Sequence, residues 1–283
     1  MPEIGMSWTV MLMVLLGALL HASWNALVKS SSDKTLDTAL IHVLCSLVAL
    51  PVCLYVGFPI EESWPFIGAS LVIHVGYYFA LSSAYKHGEL GLTYPLMRGT
   101  APMLVALTSM TLLDEELSTL GWSGVILISS GVLLLGASAG LMQHRKAIFF
   151  ALSNAVLIAT YTVVDAKGAR LSGDVLQYVA MLFVLDGWPF AILVFLHRTG
   201  KVWSYVQGRW RIAFGGALAS VGSYAIALWA MTVAPVALVA ALRETSVLFA
   251  AILGVFLLKE HWTHFRLMGT ISVVAGVMAL RLG

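Results

Sequence analysis

The chain has 283 residues, of which 60% are apolar and 11% are charged, whereas about 25% of the residues in an ordinary soluble domain are charged. This composition excludes a soluble enzyme. Sixteen lysines and arginines against fourteen aspartates and glutamates give a net charge of +2, so we expect no nucleic acid as a partner. Cys45 and Cys53 lie in one apolar segment and supply neither a disulfide framework nor a zinc site.

Apolar segments long enough to cross a bilayer fill almost the whole chain. A span needs about 20 apolar residues, and the sequence predicts ten such segments. Their ranges are 7–28, 36–57, 64–86, 92–113, 119–140, 145–168, 174–197, 209–232, 235–258 and 264–282. The first is interpreted as a mature helix, because the MPEIGMS before it lacks the Lys or Arg of a secretory signal. We therefore expect an all-α integral membrane protein with ten transmembrane helices.

The sequence repeats itself at an offset of 145 residues. The paired positions include Arg98 and Arg243, Thr100 and Thr245, Glu115 and Glu260, Gly124 and Gly269, and Gly131 and Gly276. We predict two units of five helices, residues 1–141 and 142–283. Because five is odd, the second unit enters the membrane from the opposite side, which predicts an inverted repeat around a central cavity. This architecture favours a transporter over an enzyme.

Two arginines, Arg98 and Arg243, lie inside predicted spans, where a charge is costly. Each is about 10 Å below its own membrane surface at 1.5 Å per residue. We predict that they clamp an anionic group of the substrate, because a guanidinium group binds carboxylate or phosphonate oxygens in bidentate fashion. The other predicted substrate-binding residues are His21, Trp24, Asn25, Tyr77, Tyr78, Tyr94, Tyr161, Tyr224 and Glu244.

Structural roles are open alternatives for both arginines. Either can pair with Asp165, Asp186 or Glu244. Arg243 and Glu244 are adjacent, about 100° apart on a helix, so they cannot form an i,i+4 pair with each other.

The polar residues and prolines near Arg98 also allow two interpretations. His21 and Asn25 are four residues apart and fit a hydrogen-bond pair between helices or a ligand contact. Pro95 and Pro102 flank Arg98 and fit a packing kink or the wall of a cavity. The aromatic residues likewise fit ordinary packing.

Two further pairs are interpreted as structural. His42 and His74 are assigned to helix packing. Glu115 and Glu260 precede the fifth and tenth spans, where a carboxylate suits the positive end of a helix, so we predict that they are caps.

One enzyme-like pattern remains an alternative. The sequence Gly121-Trp-Ser-Gly124 matches the serine motif of rhomboid-like intramembrane proteases, with Ser123 as nucleophile and His21 or His74 as base. Ten spans and an inverted repeat argue against it. We predict no metal site and no cofactor. The sequence also lacks the GxxxxGK[ST] loop of ATP-driven proteins, so we expect a gradient to drive transport.

Four segments resemble the EamA-type transporters of the drug/metabolite transporter superfamily. They are HASWNALVK in the first span, YPLMRGTAP in the fourth, LLDEE at its end, and RETSVLFAAILGVFLLKE in the ninth. The resemblance implies two five-helix bundles around a cavity, in a multi-pass protein of a bacterial inner membrane. It also implies a small-molecule substrate, such as an organic anion, an amino acid or an aminophosphonate. The protein is expected to act as a monomer or a homodimer in the lipid bilayer.

Coupling and topology complete the expectations. Glu244 and His21 are the predicted cavity residues able to exchange a proton, since an ordinary imidazole titrates near pH 6.5; facilitated exchange without protons is the alternative. Cytoplasmic loops carry the excess of Lys and Arg. Eleven lie on the side of the odd-to-even connections and three on the side of the termini, which predicts termini outside. The resemblance implies termini in the cytoplasm, and we follow the charge count.

Overall fold

The structure is a computed structural model that describes residues 6–88, 90–135, 145–198, 200, 202–258 and 264–282. All regular secondary structure in these ranges is helical. The helices are α1 (Trp8–Lys29), α2 (Lys34–Val56), α3 (Trp64–His87), α4 (Leu90–Leu112), α5 (Thr119–Leu135), α6 (Arg145–Leu171), α7 (Val175–His197), α8 (Val202–Val233), α9 (Val236–Arg243), α10 (Ser246–Leu258) and α11 (His264–Leu282). A 3₁₀ turn, Glu61–Ser63, precedes α3.

The predicted boundaries are wrong at two places. Helix α8 begins at Val202 rather than at 209, because the basic residue Arg209 is neutralised by Asp37 and continues the helix. The single span predicted over 235–258 is two helices, since the chain turns at Glu244 and Thr245. The turn is stabilised by short-range bonds, such as that from Val247 N to Glu244 O (3.0 Å). The end of the fifth predicted span, 136–140, lies outside the described residues.

Within the described part of the chain, six helices have the length and composition to cross a membrane. They are α1, α2, α3 with the turn before it, α6, α7 and α8. Helix α5 and residues 267–282 of α11 are apolar but shorter. This set of helices indicates a multi-pass membrane protein.

Polar residues define where several helices begin and end. Ser7, Asp33 and Asp174 precede α1, α2 and α7, and each side chain accepts a hydrogen bond from a backbone N–H of the first turn. Asp33 and Asp174 hold the same place in the two halves, before the second helix of each. Gly57 ends α2 with a φ of +85°, a conformation that suits a residue without a side chain.

Helix pairs join the first half, α1–α5, to the second half, α6–α11. The main pairs are α5 with α11, α2 with α7, α3 with α6 and α1 with α8. In the α5–α11 pair, Gly124 lies against the backbone of Gly276, and Gly131 lies against that of Gly269. The order of these contacts makes the two helices antiparallel. The missing side chains let the backbones approach closely, as in other membrane helix pairs.

The α2–α7 pair also relies on small and polar residues. The Ser46 hydroxyl donates to the Phe183 carbonyl oxygen (2.7 Å), and Gly187 lies against His42 and Ser46. Cys45 and Cys53 are free and buried on α2, where they pack as small core residues.

Candidate substrate site

A narrow cavity lies between α4 of the first half and α6 and α9 of the second. It has room for about one water molecule. The residues around it include Arg98, Pro102, Tyr161, Thr162, Arg243 and Glu244. Pro102 therefore forms part of the cavity wall, whereas Pro95 is not among the lining residues. The two arginines of the repeat thus face one cavity.

Arg98 is paired with Glu244 across the cavity. Arg98 Nε lies 2.8 Å from Glu244 Oε2, and the two side chains are 11% and 5% exposed. This pair is one of the structural alternatives that the sequence left open. Neither of these two atoms makes a well-directed hydrogen bond to any residue in the described ranges. The contact is close and electrostatic, and it leaves hydrogen-bonding capacity at both groups.

The break between α9 and α10 explains how Glu244 reaches Arg98. Helix α9 ends at Arg243, and Glu244 is the residue that follows it. Adjacent residues on a continuous helix would point about 100° apart. Here the interruption falls at the cavity, so Arg243 and Glu244 both line it.

Arg243 contacts a ring in place of a carboxylate. Its guanidinium carbon lies 5.4 Å from the centroid of the Tyr224 ring, within the range of a cation–π interaction. The Tyr224 hydroxyl donates to Asp165 Oδ2. Tyr224 therefore connects the cavity to a buried carboxylate.

His21, Trp24 and Asn25 form a local group on α1 and are not among the cavity-lining residues. The rings of His21 and Trp24 meet edge to face at 5.5 Å. Asn25 Nδ2 donates to the His21 backbone oxygen (2.8 Å), so the bond lies within the helix and joins no second helix. His21 still interacts electrostatically with Arg98 and Arg243.

The tyrosines of α3 belong to an aromatic cluster beside the cavity. His74 stacks on Tyr161 at 4.5 Å, and Tyr77 meets the Tyr161 ring edge to face at 6.0 Å. Tyr78 lies farther away, stacked on Phe190 at 5.2 Å. Tyr161 is thus the member of the cluster that lines the cavity, and Tyr77 supports it.

Tyr94 completes the predicted set. It is partly buried against the main core and interacts electrostatically with Arg98 and Glu244. Of the eleven predicted site residues, the cavity brings together Arg98, Tyr161, Arg243 and Glu244, and places the others around or beyond them.

The eleven predicted substrate-binding residues do not include Thr162, and the sequence did not indicate the role of Asp165. Thr162 lines the cavity, but a hydroxyl in a helix is an ordinary feature and carries no signal. Asp165 stands out in an apolar segment, and the sequence analysis named it only as a partner for an arginine. In the structure Tyr178 and Tyr224 donate hydrogen bonds to it, and the Ser70 side chain on α3 also hydrogen-bonds to it.

Glu115 is a cap, but of a different helix from the one predicted. Its Oε2 accepts a hydrogen bond from Val236 N (2.9 Å), at the start of α9, while Ser118 accepts from Gly121 N at the start of α5. Glu115 also pairs with Arg170 at 2.5 Å. The carboxylate reaches across to the second half because the two halves meet there. Glu260 lies outside the described residues.

The protease alternative gains no support from the position of Ser123. Its hydroxyl donates to the Thr119 carbonyl oxygen of its own helix (2.8 Å), and no described hydrogen bond joins it to a histidine. Within the described residues, no group of three His, Cys, Asp or Glu side chains is placed to hold a metal ion.

Comparisons with known proteins agree with this arrangement. The sequence model of the EamA-like transporter family matches residues 8–137 and 145–282, one match in each half. One solved crystal structure superposes on the chain with a TM-score of 0.77 over 98% of both chains, at 18% sequence identity. The two proteins therefore share the fold. No curated protein matches the sequence. The two family matches together cover nearly the whole chain, which therefore belongs to the EamA-like transporter family.

Proposed function

We propose that the protein is a secondary transporter that binds a small organic anion or zwitterion between its two halves. The observation that carries this proposal is the placement of Arg98, Arg243 and Glu244 around one cavity at the junction of the halves. A membrane arginine is costly unless it has a function or a partner. Arg98 has a partner that a substrate anion can replace, whereas Arg243 lies over the Tyr224 ring and forms no ion pair with a carboxylate within the described ranges.

Alternating access is the proposed mechanism, with ten spans in two inverted repeats, residues 1–141 and 142–283. The reciprocal glycine contacts support it. The offset of 145 residues converts Gly124 into Gly269 and Gly131 into Gly276, and these same four residues form the antiparallel α5–α11 contact. Two equivalent, oppositely directed halves can exchange conformations, which opens a shared site first to one side and then to the other.

Substrate binding requires the cavity to widen. In the present conformation the cavity has room for about one water molecule, and Glu244 is paired with Arg98. We propose that a substrate carboxylate or phosphonate takes the place of Glu244 on Arg98 and contacts Arg243 at the same time. Such an exchange keeps a negative charge beside Arg98 throughout, so that its charge is never left unpaired.

The test is a thermal-shift screen of the purified protein against a panel of acetate, benzoate, methylphosphonate, 2-aminoethylphosphonate, glutamate and choline. A compound that binds only the folded state raises the melting temperature. Loss of one charge-assisted contact typically costs about 1.5–3 kcal/mol. Arg98→Gln and Arg243→Gln should therefore weaken binding of an anionic member by about 10- to 100-fold. Lysine at either position should restore only part, because it lacks the bidentate geometry.

Arg211→Gln is the matched control. Arg211 is exposed and lies over the Trp210 ring, away from the cavity, so its loss should leave binding unchanged. The proposal is wrong if choline is the compound that stabilises the protein. It is also wrong if both cavity variants fold and bind an anion as the unchanged protein does.

The cellular setting is part of the proposal. A bacterial inner membrane, with the protein acting as a monomer or homodimer, fits a transporter that uses an ion gradient. Measuring uptake in reconstituted vesicles, with and without an imposed pH gradient, separates gradient-driven transport from facilitated exchange.

A further inference from the structure

Asp165, on α6, is a fully buried carboxylate with an unusual set of partners. Its side chain is 0% exposed. Tyr178 donates to Oδ1 at 2.9 Å, and Tyr224 donates to Oδ2. Among the described residues, no lysine or arginine forms an ion pair with it. Burial of a carboxylate inside a membrane protein without such a cation calls for a functional explanation.

The other buried or nearly buried carboxylates have cationic partners. Asp37 pairs with Arg209 at 3.1 Å, Glu115 pairs with Arg170, and Glu244 pairs with Arg98. In each of these three pairs a guanidinium group lies beside the carboxylate and offsets its charge. Asp165 differs because its hydrogen-bond partners are hydroxyl groups, and no described lysine or arginine forms an ion pair with it.

We propose that Asp165 is a proton-binding site that couples transport to a proton gradient. The inference rests on the proposed transport function, and it assigns the coupling proton to Asp165 in place of Glu244 or His21. In the step, a proton from water on one side of the membrane adds to Oδ1 and converts the carboxylate to a carboxylic acid. The same proton leaves to water on the other side after the cavity has changed its opening.

The two tyrosines satisfy both charge states of Asp165 without a large movement. A tyrosine hydroxyl donates one hydrogen bond and also accepts. With the carboxylate, both hydroxyls donate to it. With the acid, the new O–H donates to Tyr178 Oη, whose own hydrogen rotates away, and Tyr224 continues to donate to Oδ2. Both oxygen atoms of Asp165 therefore keep a hydrogen-bond partner in either state, which limits the cost of burying the group.

Ionisable groups reach Asp165 from several helices packed around α6. Helix α3 supplies His74, whose Nδ1 lies 2.8 Å from the Ser70 backbone oxygen and which interacts electrostatically with Asp165. Helices α7 and α8 supply Tyr178 and Tyr224. On α6 itself, Tyr161 interacts electrostatically with Asp165, and also with Arg98 of α4 and Arg243 of α9.

Tyr224 links this proton site to the substrate site. Its hydroxyl contacts Asp165 while Arg243 lies over its ring at 5.4 Å. A charged Asp165 competes with a substrate anion for the field of Arg243, and protonation removes that competition. Proton and anion should therefore favour each other's binding, by about 5- to 150-fold if the coupling has the usual size.

The first experiment needs no substrate. Infrared difference spectra of the purified protein, recorded between acidic and alkaline buffer, should show the carbonyl stretch of a protonated carboxyl group. Asp165→Asn should abolish that band. Asp186→Asn is the matched control, since Asp186 is a partly buried aspartate on α7 with His42 at 4.0 Å, and it should retain the band. Absence of the band in the unchanged protein, or its loss in Asp186→Asn alone, overturns the proposal.

Tyr224→Phe tests the same assignment if Asp165→Asn does not fold. Tyr224→Phe keeps the ring beneath Arg243 and removes the hydroxyl that donates to Asp165. The carbonyl band should remain and move to higher frequency, because a hydrogen bond to the acid is lost. An unchanged band in this variant shows that the titrating group is not Asp165.

The second experiment measures coupling with the panel member that binds most tightly. Its affinity should rise severalfold from alkaline to acidic buffer in the unchanged protein and in Asp186→Asn. In Asp165→Asn the affinity should be the same in acidic and alkaline buffer, and equal to that of the unchanged protein in acidic buffer. If no panel member binds but the infrared titration belongs to Asp165, the proton site stands and the proposed substrate class fails. If binding occurs without pH dependence, the substrate site stands and the coupling proposal fails.

Discussion

Arg98 and Arg243 occupy equivalent positions of the repeat but have different partners. Arg98 lies 2.8 Å from Glu244, whereas Arg243 rests on Tyr224. The difference arises because Gly99 is the counterpart of Glu244 in the first half, so only one half supplies a carboxylate. The site is asymmetric although the fold repeats, and Glu244 is the residue whose change tells most about the substrate.

Replacing Glu244 with Gln should destabilise the free protein and change ligand selectivity. Breaking a buried ion pair from one side typically costs about 3–5 kcal/mol, which lowers the melting temperature. Acetate and methylphosphonate should bind about tenfold more tightly or better, because Arg98 no longer has a competing carboxylate. Glutamate and 2-aminoethylphosphonate should gain less or lose affinity, because their ammonium group loses Glu244 as a partner.

The measurement is the melting temperature with and without each compound. Glu62→Gln, at an exposed position before α3, is the control and should change neither quantity. An unaltered melting temperature together with unaltered affinities in Glu244→Gln would mean that the Arg98–Glu244 pair does not form in the membrane protein.

Helix α9 depends on a contact from the other half. Its first backbone N–H, on Val236, donates to Glu115, and Arg170 joins Glu115 to the end of α8 by donating to the Met231 carbonyl oxygen (2.8 Å). Since α9 ends at Arg243, this contact positions one wall of the cavity from a distance.

Glu115→Ala should therefore affect both stability and binding. Loss of a helix cap costs about 1 kcal/mol, and Arg170 loses its partner at the same time. We expect a lower melting temperature and weaker binding of the anion identified in the screen. Glu116→Ala, at the exposed neighbouring position, should behave as the unchanged protein. Equal behaviour of the two variants would contradict the contact between the halves.

Helices α5 and α11 pack so closely that two of their glycines leave no room for a side chain. A methyl group at Gly131 would lie 2.7 Å from Val273 Cγ2 and 2.8 Å from the Gly269 oxygen, and one at Gly276 would lie 2.9 Å from the Gly124 oxygen. Gly131→Ala and Gly276→Ala should each lower the free energy of unfolding by about 1–3 kcal/mol, since overpacking forces backbones apart.

The two substitutions should also have similar effects, because they are equivalent in the repeat. Gly215→Ala on α8 is the control, since nothing lies within 4 Å of the added methyl group, and alanine should stabilise that helix by up to about 1 kcal/mol. Thermal unfolding in detergent measures all three. A stable Gly131→Ala protein would mean that α5 and α11 are farther apart than the structure places them.

At the scale of the whole molecule, the contacts agree with the sides that the charge count assumes. Asp37, at the start of α2, pairs with Arg209 of α8, so the α1–α2 and α7–α8 connections lie at one end. Glu115, Arg170 and Val236 meet at the ends of helices that the count places on the opposite side. Each of these contacts therefore joins connections that the charge count assigns to the same side.

The charge count predicts that both termini lie outside the cytoplasm. A green fluorescent protein fused to the carboxyl terminus should then be dim, because this reporter folds poorly outside the cytoplasm. The control is a reporter inserted in the α5–α6 connection, which should be bright. Bright terminal fusions would reverse the orientation and support the cytoplasmic termini that the family resemblance implies.

Most of the fold was predictable from sequence because the bilayer imposes a local rule. A span must be apolar along its own length, so composition alone located the segments, and the repeat was visible in paired polar and glycine positions. Arg98 and Arg243 could be singled out for the same reason, since a charge within an apolar segment stands out, and the structure places both at one cavity.

What only the tertiary structure decided depends on contacts between distant residues. The choice of Glu244 as the partner of Arg98, the cap that Glu115 places on α9, and the tyrosines on Asp165 each join parts of the chain more than ten residues apart. The helix break at Glu244 and Thr245 also contains no proline or glycine from which it could be predicted. Periodicity and composition report what each residue prefers locally, whereas pairing is set by how whole helices pack, so it becomes visible only when the helices are brought together.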